Sequence, residues 1–334
     1  MNKFYFYIYM IVCSCATHNI PSSGNPNIQI PPNTTVAFVD LNGNFYPEKW
    51  ETQIGPYKKK SSLYLTAKKN NTIETLTNFE NQNLAKYHQN VLNKKRIFIF
   101  VHGYNNSAAK VKLNYDLLCA KINIDPIQDE VIEFYWDGLV SKDPIGSGRI
   151  WFYATGNSQM AGEFGLRKIL NEIYDKDIII ISHSRGASVV LSSLSNPPYD
   201  DDFRRNTEKL GITIDNKIPL AENGNRIISI MLAPAVGEVD FKKEKDTGSF
   251  RSFSSQLKKI HITINKNDPV LKKFVGLKGK FNPTTLGFDI TAYNNLKSTY
   301  NFFTVDNFDG QNNHSFNVYI NNDKFEQMIK KYIP

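Results

Sequence analysis

One run of the sequence, from Ile178 to Leu191, limits the possible folds of this 334-residue chain more than any other. It starts with four isoleucines, Ile178 to Ile181, which suit a strand buried on both faces, as in a parallel sheet covered by helices. A turn of small and polar residues, Ser182 to Gly186, and an apolar stretch of helical character follow directly. The run therefore predicts an α/β fold in which a buried strand leads through a sharp turn into a helix.

The turn from Ser182 to Gly186 has the composition of a nucleophile site. Its pattern, S-x-S-x-G, resembles the G-x-S-x-G nucleophile elbow, with Ser182 in place of the first glycine. Such a turn would place the Ser184 hydroxyl at a helix N-terminus, where free amides and the helix dipole favour developing negative charge. Ser184 is the predicted nucleophile, and a turn that only connects strand to helix is the alternative.

Apolar runs and amphipathic stretches alternate along the chain, which predicts a mostly parallel sheet with helices on both faces. The predicted strands are Val36 to Val39, Ile97 to Val101, Val131 to Trp136, Ile178 to Ile181, Ile227 to Leu232, Ile260 to Ile264 and Tyr300 to Val305. Leu63 to Leu65 is also expected to be a strand, which would give the sheet an antiparallel start. The predicted helices are Phe79 to Leu92, Ala108 to Lys121, Gly162 to Tyr174 and Lys324 to Tyr332.

Residues that follow different strands are expected to meet, because the carboxyl ends of parallel strands share one edge of a sheet. A serine hydroxyl needs a base, and the base needs an acid that orients it. Asp268, after the Ile260 to Ile264 strand, is the predicted acid, with Glu238 and Asp240 as alternatives. His314 follows the last predicted strand and is the only histidine downstream of Asp268, so it is the predicted base.

Backbone amides that could stabilise an oxyanion are expected beside Ser184. His102-Gly103-Tyr104 follows a predicted strand, and its glycine allows the backbone to approach a substrate closely. The favoured donors are the amides of Tyr104 and of Arg185, the residue after the nucleophile, with Gly103 as the alternative to Tyr104. Removing one such donor typically slows catalysis by roughly a hundred- to a thousand-fold.

These motifs together resemble the α/β-hydrolase superfamily, and more narrowly a bacterial group of uncharacterised α/β-hydrolases. The resemblance covers about Lys94 to Pro334, and its carriers are Phe100 to Ser107, Phe134 to Trp136, His183 to Ala187 and Asn267 to Pro269. It implies the α/β-hydrolase fold and serine hydrolase chemistry on esters, thioesters or amides, without a cofactor. Two features depart from the pattern: Ser182 replaces the usual glycine, and a long segment separates Asp268 from His314.

The expected function is cleavage of a carboxylic ester, on a small molecule or a lipid, through an acyl-enzyme on Ser184. The alternative is a non-catalytic, surface-anchored binding module, because a fold alone does not fix a function. The sequence has no H-E-x-x-H or C-x-x-C metal motif and no G-x-G-x-x-G or G-x-x-x-x-G-K-[ST] nucleotide loop. Neither a catalytic metal nor a cofactor is therefore expected.

The N-terminus resembles the signal of a bacterial lipoprotein. Residues 1–14 combine Lys3, an apolar stretch and small residues, and Val12-Cys13-Ser14 precedes a candidate lipidation site at Cys15. Residues 15–35 would be a polar, proline-rich tether, and residues 36–334 the α/β-hydrolase domain. The chain is expected to be exported and anchored through Cys15 to a membrane of a bacterial envelope. A soluble secreted or periplasmic form is the alternative.

The net charge of +8 does not by itself predict nucleic-acid binding. Basic residues are scattered apart from short clusters such as Lys58 to Lys60, which are typical of solvated surfaces. The sequence has no arginine-rich arm and no aromatic RNA-binding motif. The expected partners are an ester substrate and, through the lipid anchor, a membrane; the sequence does not specify an oligomeric state.

Overall fold

A computed structural model describes residues 16–21, 31–55, 62–212, 219–244, 248–274 and 284–333. The predicted signal peptide, residues 1–14, and the candidate lipidation site Cys15 lie outside the described residues. The predicted tether is described in part. Its last residues, Thr34 and Thr35, already belong to the first strand of the sheet.

Within the described residues, seven strands form one sheet in which every neighbouring pair is parallel. They are β1 (Thr34–Val39), β2 (Arg96–Val101), β3 (Asp129–Trp136), β4 (Asp177–His183), β5 (Arg226–Leu232), β6 (Leu257–Ile264) and β7 (Phe303–Asn307). Their order is β1-β3-β2-β4-β5-β6-β7, so β4, which leads into Ser184, is the central strand. Val101 pairs with Ser182, and the loops after β2 and β4 therefore start side by side. The sheet confirms the predicted α/β-hydrolase fold class.

Helices cover both faces of this sheet, as the alternating pattern predicted. They are α1 (Trp50–Gln53), α2 (Leu63–Lys69), α3 (Ile73–Val91), α4 (Ala108–Ile122), α5 (Pro144–Met160), α6 (Arg167–Asn171), α7 (Gly186–Leu194), α8 (Asp201–Leu210), α9 (Pro269–Phe274), α10 (Ile290–Thr299), α11 (Phe316–Ile320) and α12 (Asp323–Lys330). A π-helical turn, Ala161–Leu166, joins α5 to α6, and short 3₁₀ helices occur at Glu238–Phe241 and Thr285–Gly287.

The predicted antiparallel start of the sheet is wrong. Leu63 to Leu65 opens helix α2, because the Ser62 side chain caps the helix by accepting a hydrogen bond from the Leu65 amide. An apolar run of three residues is too short to distinguish a strand from a buried helix turn. Strand β1 pairs in parallel with β3, and the turn after it makes only an isolated antiparallel bridge between Val39 and Phe45.

The isoleucine strand is buried on both faces, as its composition predicted. Ile178 and Ile180 belong to the core on one side of the sheet, which includes the apolar face of α7. Ile179 and Ile181 belong to the core on the other side, which includes residues of α4, α11 and α12. Alternate residues of a strand point to opposite faces, so this one apolar run contributes to the cores on both sides of the sheet.

Residues 16–21 lie against the domain, although they belong to the predicted tether. Thr17 forms an antiparallel bridge with Val140, in the loop that follows β3. We call this segment the N-terminal strap.

None of the described helices is both long and apolar enough to cross a membrane.

Candidate active site

Ser184 lies in a strained turn between β4 and α7. Its φ angle is +53°, in the left-handed region that residues other than glycine rarely adopt, at a cost of about 1–3 kcal/mol. Hydrogen bonds hold this conformation, from the Ser184 amide to the Leu232 carbonyl (3.0 Å) and from the Ala235 amide to the Ser184 carbonyl (3.1 Å). Gly186 permits the turn, because a β-carbon there would lie only 2.6 Å from the His102 carbonyl oxygen. This backbone conformation places the Ser184 hydroxyl beyond the end of β4.

His314 joins Ser184 to Asp268 in one hydrogen-bonded chain. Its Nε2 lies 2.8 Å from Ser184 Oγ, and its Nδ1 lies 2.7 Å from Asp268 Oδ2. A carboxylate accepts hydrogen bonds, so Nδ1 carries the proton and Nε2 is left with a lone pair facing the serine hydroxyl. The three residues come from separate loops, after β4, β6 and β7. The structure thus brings together the three side chains that the sequence singled out.

Asp268 is fixed from both sides at the start of α9. Oδ1 accepts hydrogen bonds from the amides of Val270 and Leu271, both at 3.0 Å, and Oδ2 accepts one from the Tyr319 hydroxyl at 2.7 Å. Burial raises the pKa of Asp268, but the hydrogen bond and charge of His314, the Leu271 amide and the Tyr319 hydroxyl outweigh it and hold the pKa below its usual range. The carboxylate is therefore ionised when His314 is in place. Sequence reasoning did not single out Tyr319.

The two alternative acids do not contact His314. The carboxylate of Glu238 forms an ion pair with Lys242 and accepts a hydrogen bond from Asn295. Asp240 is buried and accepts a hydrogen bond from the Gly237 amide. Among these three candidates, only Asp268 hydrogen-bonds to the imidazole, because β6 delivers it to the loop edge directly opposite His314.

Two further histidines help to shape the site, and both are buried. His183 Nε2 lies 2.8 Å from the His314 carbonyl oxygen, and its ring stacks on Phe316. Burial lowers the pKa of His183 well below its usual value, so the ring is neutral and donates its Nε2 proton to that carbonyl. His102 accepts a hydrogen bond from the Trp136 amide at Nε2 (3.2 Å), so Nδ1 donates to the Gly103 carbonyl (2.7 Å). Sequence reasoning gave little weight to either ring.

The loop after β2, residues 102–107, packs directly on the serine turn. We call it the β2 loop. A β-carbon on Gly103 would lie 2.8 Å from Ser184 Cβ and 3.2 Å from the His183 carbonyl oxygen, so only glycine fits. In the described part of the chain, the Tyr104 and Arg185 amides donate no backbone hydrogen bond. Tyr104 follows Gly103 and Arg185 follows Ser184, so both amides lie beside the place where the β2 loop packs on the serine turn.

A cleft of about 470 Å³ opens over Ser184 and His314. Polar side chains form much of its wall: Asn105, Asn106, Lys110, Ser147, Asn312 and Asn313. Lys110 is exposed, and none of the described residues that line the cleft is acidic. The site is therefore open, polar and weakly positive. No three His, Cys, Asp or Glu side chains cluster as a metal site within the described ranges.

Comparisons with known proteins place the chain in a family without assigning a substrate. No curated protein matches the chain. An uncharacterised protein from Bacillus cereus ATCC 10987 is 14% identical, with a TM-score of 0.32, and the match covers 81% of this chain and 72% of that one. The model of a family described as "Alpha/beta hydrolase of unknown function (DUF900)" matches residues 77–282, which include Ser184 and Asp268 but not His314. This match spans more than half of the sequence, and the chain belongs to that alpha/beta hydrolase family.

Proposed function

We propose that the protein is a serine hydrolase that cleaves a carboxylic ester through an acyl-enzyme on Ser184. The observation that carries the proposal is the continuous hydrogen-bonded chain from Ser184 Oγ through His314 to Asp268, at 2.8 and 2.7 Å. The same distances favour catalysis over a non-catalytic binding module, in which nothing would require these three groups to touch. Membership of an alpha/beta hydrolase family supports hydrolysis as the reaction class.

In the first half of the reaction, Ser184 Oγ attacks the ester carbonyl carbon while His314 Nε2 takes the hydroxyl proton. The tetrahedral intermediate then collapses. Its carbon–oxygen bond to the alcohol breaks, and the leaving alcohol oxygen receives from Nε2 the proton that Ser184 gave up. In the second half, His314 removes a proton from water, which attacks the acyl-enzyme and releases the acid. Ser184 regains its proton, so the cycle consumes only ester and water.

Asp268 and the backbone amides stabilise the charges that develop. The ionised Asp268 carboxylate keeps the His314 Nδ1 proton in place and stabilises the imidazolium, without itself taking the proton. The Tyr104 and Arg185 amides are proposed to hold the oxyanion, with Gly103 as the alternative donor to Tyr104. In this arrangement the helix dipole of α7 favours the same negative charge.

The cleft favours a polar ester with a short acyl chain. Asparagine and serine side chains offer hydrogen bonds, while an extended alkyl chain would gain little from contact with them. Lys110 lies in the cleft wall and forms no ion pair with the residues that the structure describes. Its ammonium group is suited to an anionic or strongly polar group of the substrate. We therefore propose a hydrophilic ester rather than a long-chain lipid as the substrate.

Covalent labelling tests the proposed function. A fluorophosphonate probe reacts with an activated serine, so wild-type protein should be labelled on the peptide that contains Ser184. Ser184→Ala should abolish labelling and lower kcat on a responsive ester by up to about a million-fold. Ser315→Ala is the matched control, because Ser315 lines the same cleft without contacting the imidazole through its hydroxyl. Folded wild-type protein that resists labelling would overturn the proposal.

We also propose that the chain is exported and anchored through Cys15. The support is the sequence pattern of residues 1–14 and the small residues before Cys15. Several acyl chains on one cysteine anchor a protein stably, since each buried methylene contributes about 0.8 kcal/mol. Fractionation of cells that express Cys15→Ala tests this, with Cys119→Ala as the control. Membrane association that persists in the Cys15 variant would refute lipidation at that residue.

A further inference from the structure

The N-terminal strap is attached to the domain through a buried carboxylate. Asp137 follows β3 and is fully buried. Its Oδ2 lies 2.7 Å from His18 Nδ1, and its Oδ1 accepts hydrogen bonds from the amides of Asn19 (2.8 Å) and Leu139 (3.1 Å). A buried carboxylate with three donors is a strong attachment point, because charge-assisted hydrogen bonds are about twice as strong as neutral ones. This attachment fixes the backbone of Asn19.

The Asn19 side chain clamps the end of the β2 loop. Its Oδ1 accepts a hydrogen bond from the Ala108 amide (3.0 Å), and its Nδ2 donates one to the Asn106 carbonyl (3.3 Å). Ala108 opens helix α4, and amides in the first turn of a helix lack partners within the helix. Asn19 is more than nine-tenths buried, while Asn106 and Ala108 are half-buried, so this pair of contacts is partly shielded from water.

Asn106 connects the Asn19 contacts to the part of the β2 loop that lies beside Ser184. Its side-chain amide donates hydrogen bonds to the carbonyls of Gly103 (3.3 Å) and Tyr104 (2.9 Å). His102 donates a second hydrogen bond to the Gly103 carbonyl. In a trans peptide the carbonyl and the following amide point in opposite directions, so holding the Gly103 carbonyl also fixes the direction of the Tyr104 amide.

We propose that Asn19 is a positioning residue for the oxyanion hole, and that the strap is part of the catalytic unit. Asn19 clamps the end of the β2 loop and so keeps the Tyr104 amide directed at the reacting carbonyl oxygen. This inference rests on the proposed function. A displacement of about 1 Å at such a donor is enough to cost roughly a hundred-fold in rate.

Three variants of the full chain test the inference. Asn19→Ala removes both hydrogen bonds to the loop and should lower kcat by about ten- to a hundred-fold, with KM changed by less than about two-fold. Asn19→Asp keeps an acceptor for the Ala108 amide but cannot donate to the Asn106 carbonyl. It should therefore also be slow, and its thermal unfolding is measured alongside because the new carboxylate oxygen would face the Asn106 carbonyl oxygen. Thr17→Val is the control, because it removes an exposed strap contact with the Val140 carbonyl and leaves the clamp intact.

A matched pair of substrates separates positioning from general damage. A thionoester replaces the carbonyl oxygen by sulfur, which is a weaker hydrogen-bond acceptor and depends less on the amide donors. The Asn19 variants should lose more activity on the oxoester, so the oxoester-to-thionoester rate ratio should fall. Wild-type kcat in both variants, or equal losses on both substrates, would overturn the inference. Wild-type protein that resists the fluorophosphonate would overturn the proposed function and, with it, this inference.

Discussion

Gly103 and Ser184 lie so close that a β-carbon on Gly103 would be 2.8 Å from Ser184 Cβ. Gly103→Ala must therefore move either the β2 loop or the serine turn, and we expect kcat to fall by about a hundred-fold. Gly148→Ala is the control, because a β-carbon there meets no atom within 4 Å and alanine favours the helix. Steady-state kinetics with thermal unfolding of both variants checks this. Full activity in Gly103→Ala would show that the loop does not contribute to the site.

The acid of the proposed triad can be tested against a rejected alternative. Asp268→Asn removes the charge that stabilises the imidazolium and offers His314 the wrong hydrogen-bonding partner, so kcat should fall by about a thousand- to ten-thousand-fold. Glu238→Gln should leave kcat unchanged, since Glu238 contacts Lys242 and Asn295 instead of the imidazole. Similar losses in the two variants would contradict the assignment of the acid. Rates measured at saturating substrate decide between these outcomes.

The Tyr319 hydroxyl donates a hydrogen bond to Asp268 Oδ2, the same oxygen that lies next to His314 Nδ1. Tyr319→Phe removes this donor, so the pKa of Asp268 should rise and kcat should fall by about three- to thirty-fold. Tyr115→Phe is the control, because the Tyr115 hydroxyl bonds to the Phe134 carbonyl away from the cleft. The acid side of the kcat–pH profile should move to higher pH in Tyr319→Phe only. An unchanged profile would mean that Tyr319 has a packing role.

The convergence of Ser184, Asp268 and His314 could be predicted from the sequence because it depends only on where strands end. Each residue follows a recognisable apolar run, and the carboxyl ends of parallel strands meet at one edge. The burial of β4 on both faces follows from the same pattern, since four isoleucines leave no solvent-facing side, whereas its central position in the sheet is known only from the structure. Local composition was therefore enough to predict most of the fold and the main residues of the site.

The supporting contacts could not be predicted, because they join residues that are distant in the sequence and have no distinctive motif. Tyr319 and Asp268 are 51 residues apart, and Asn19 and Ala108 are 89 apart. A lone tyrosine or asparagine has the same local sequence context whether or not it meets such a partner. His18 and Asn19 were assigned to a tether by composition, although the buried Asp137 holds both. Polar residues of this kind are found only from coordinates.

The polar cleft predicts the substrate preference of the proposed hydrolase. On a series of p-nitrophenyl esters, kcat/KM should be highest for short acyl chains, because polar side chains outnumber apolar ones among the described residues of the wall. Lys110→Ala should raise KM for an ester that carries a carboxylate and leave a neutral ester unaffected. Lys121→Ala, which removes a surface partner of Glu326, is the control. Faster turnover of long-chain esters would contradict this preference.

Buried histidines should make the fold sensitive to acid. Burial lowers the pKa of both His102 and His261 from 6.5 to about 4. Between these values the unfolded chain binds more protons than the native one, so the free energy of unfolding rises with pH across this window. The stability from each group is fully present above about pH 6.5 and is lost as the pH falls toward 4, with a limit of about 3 kcal/mol per histidine.

Asp40 has the opposite effect, which provides an internal check on the sign. Burial raises the pKa of its carboxyl from 3.8 to about 6, so the native state binds more protons there and Asp40 reduces stability as the pH rises through that window. Urea unfolding between about pH 4.5 and pH 7 should therefore give a flatter pH dependence for His261→Gln and a steeper one for Asp40→Asn. Equal pH slopes for the wild type and His261→Gln would show that the buried His261 ring is not kept neutral by the fold.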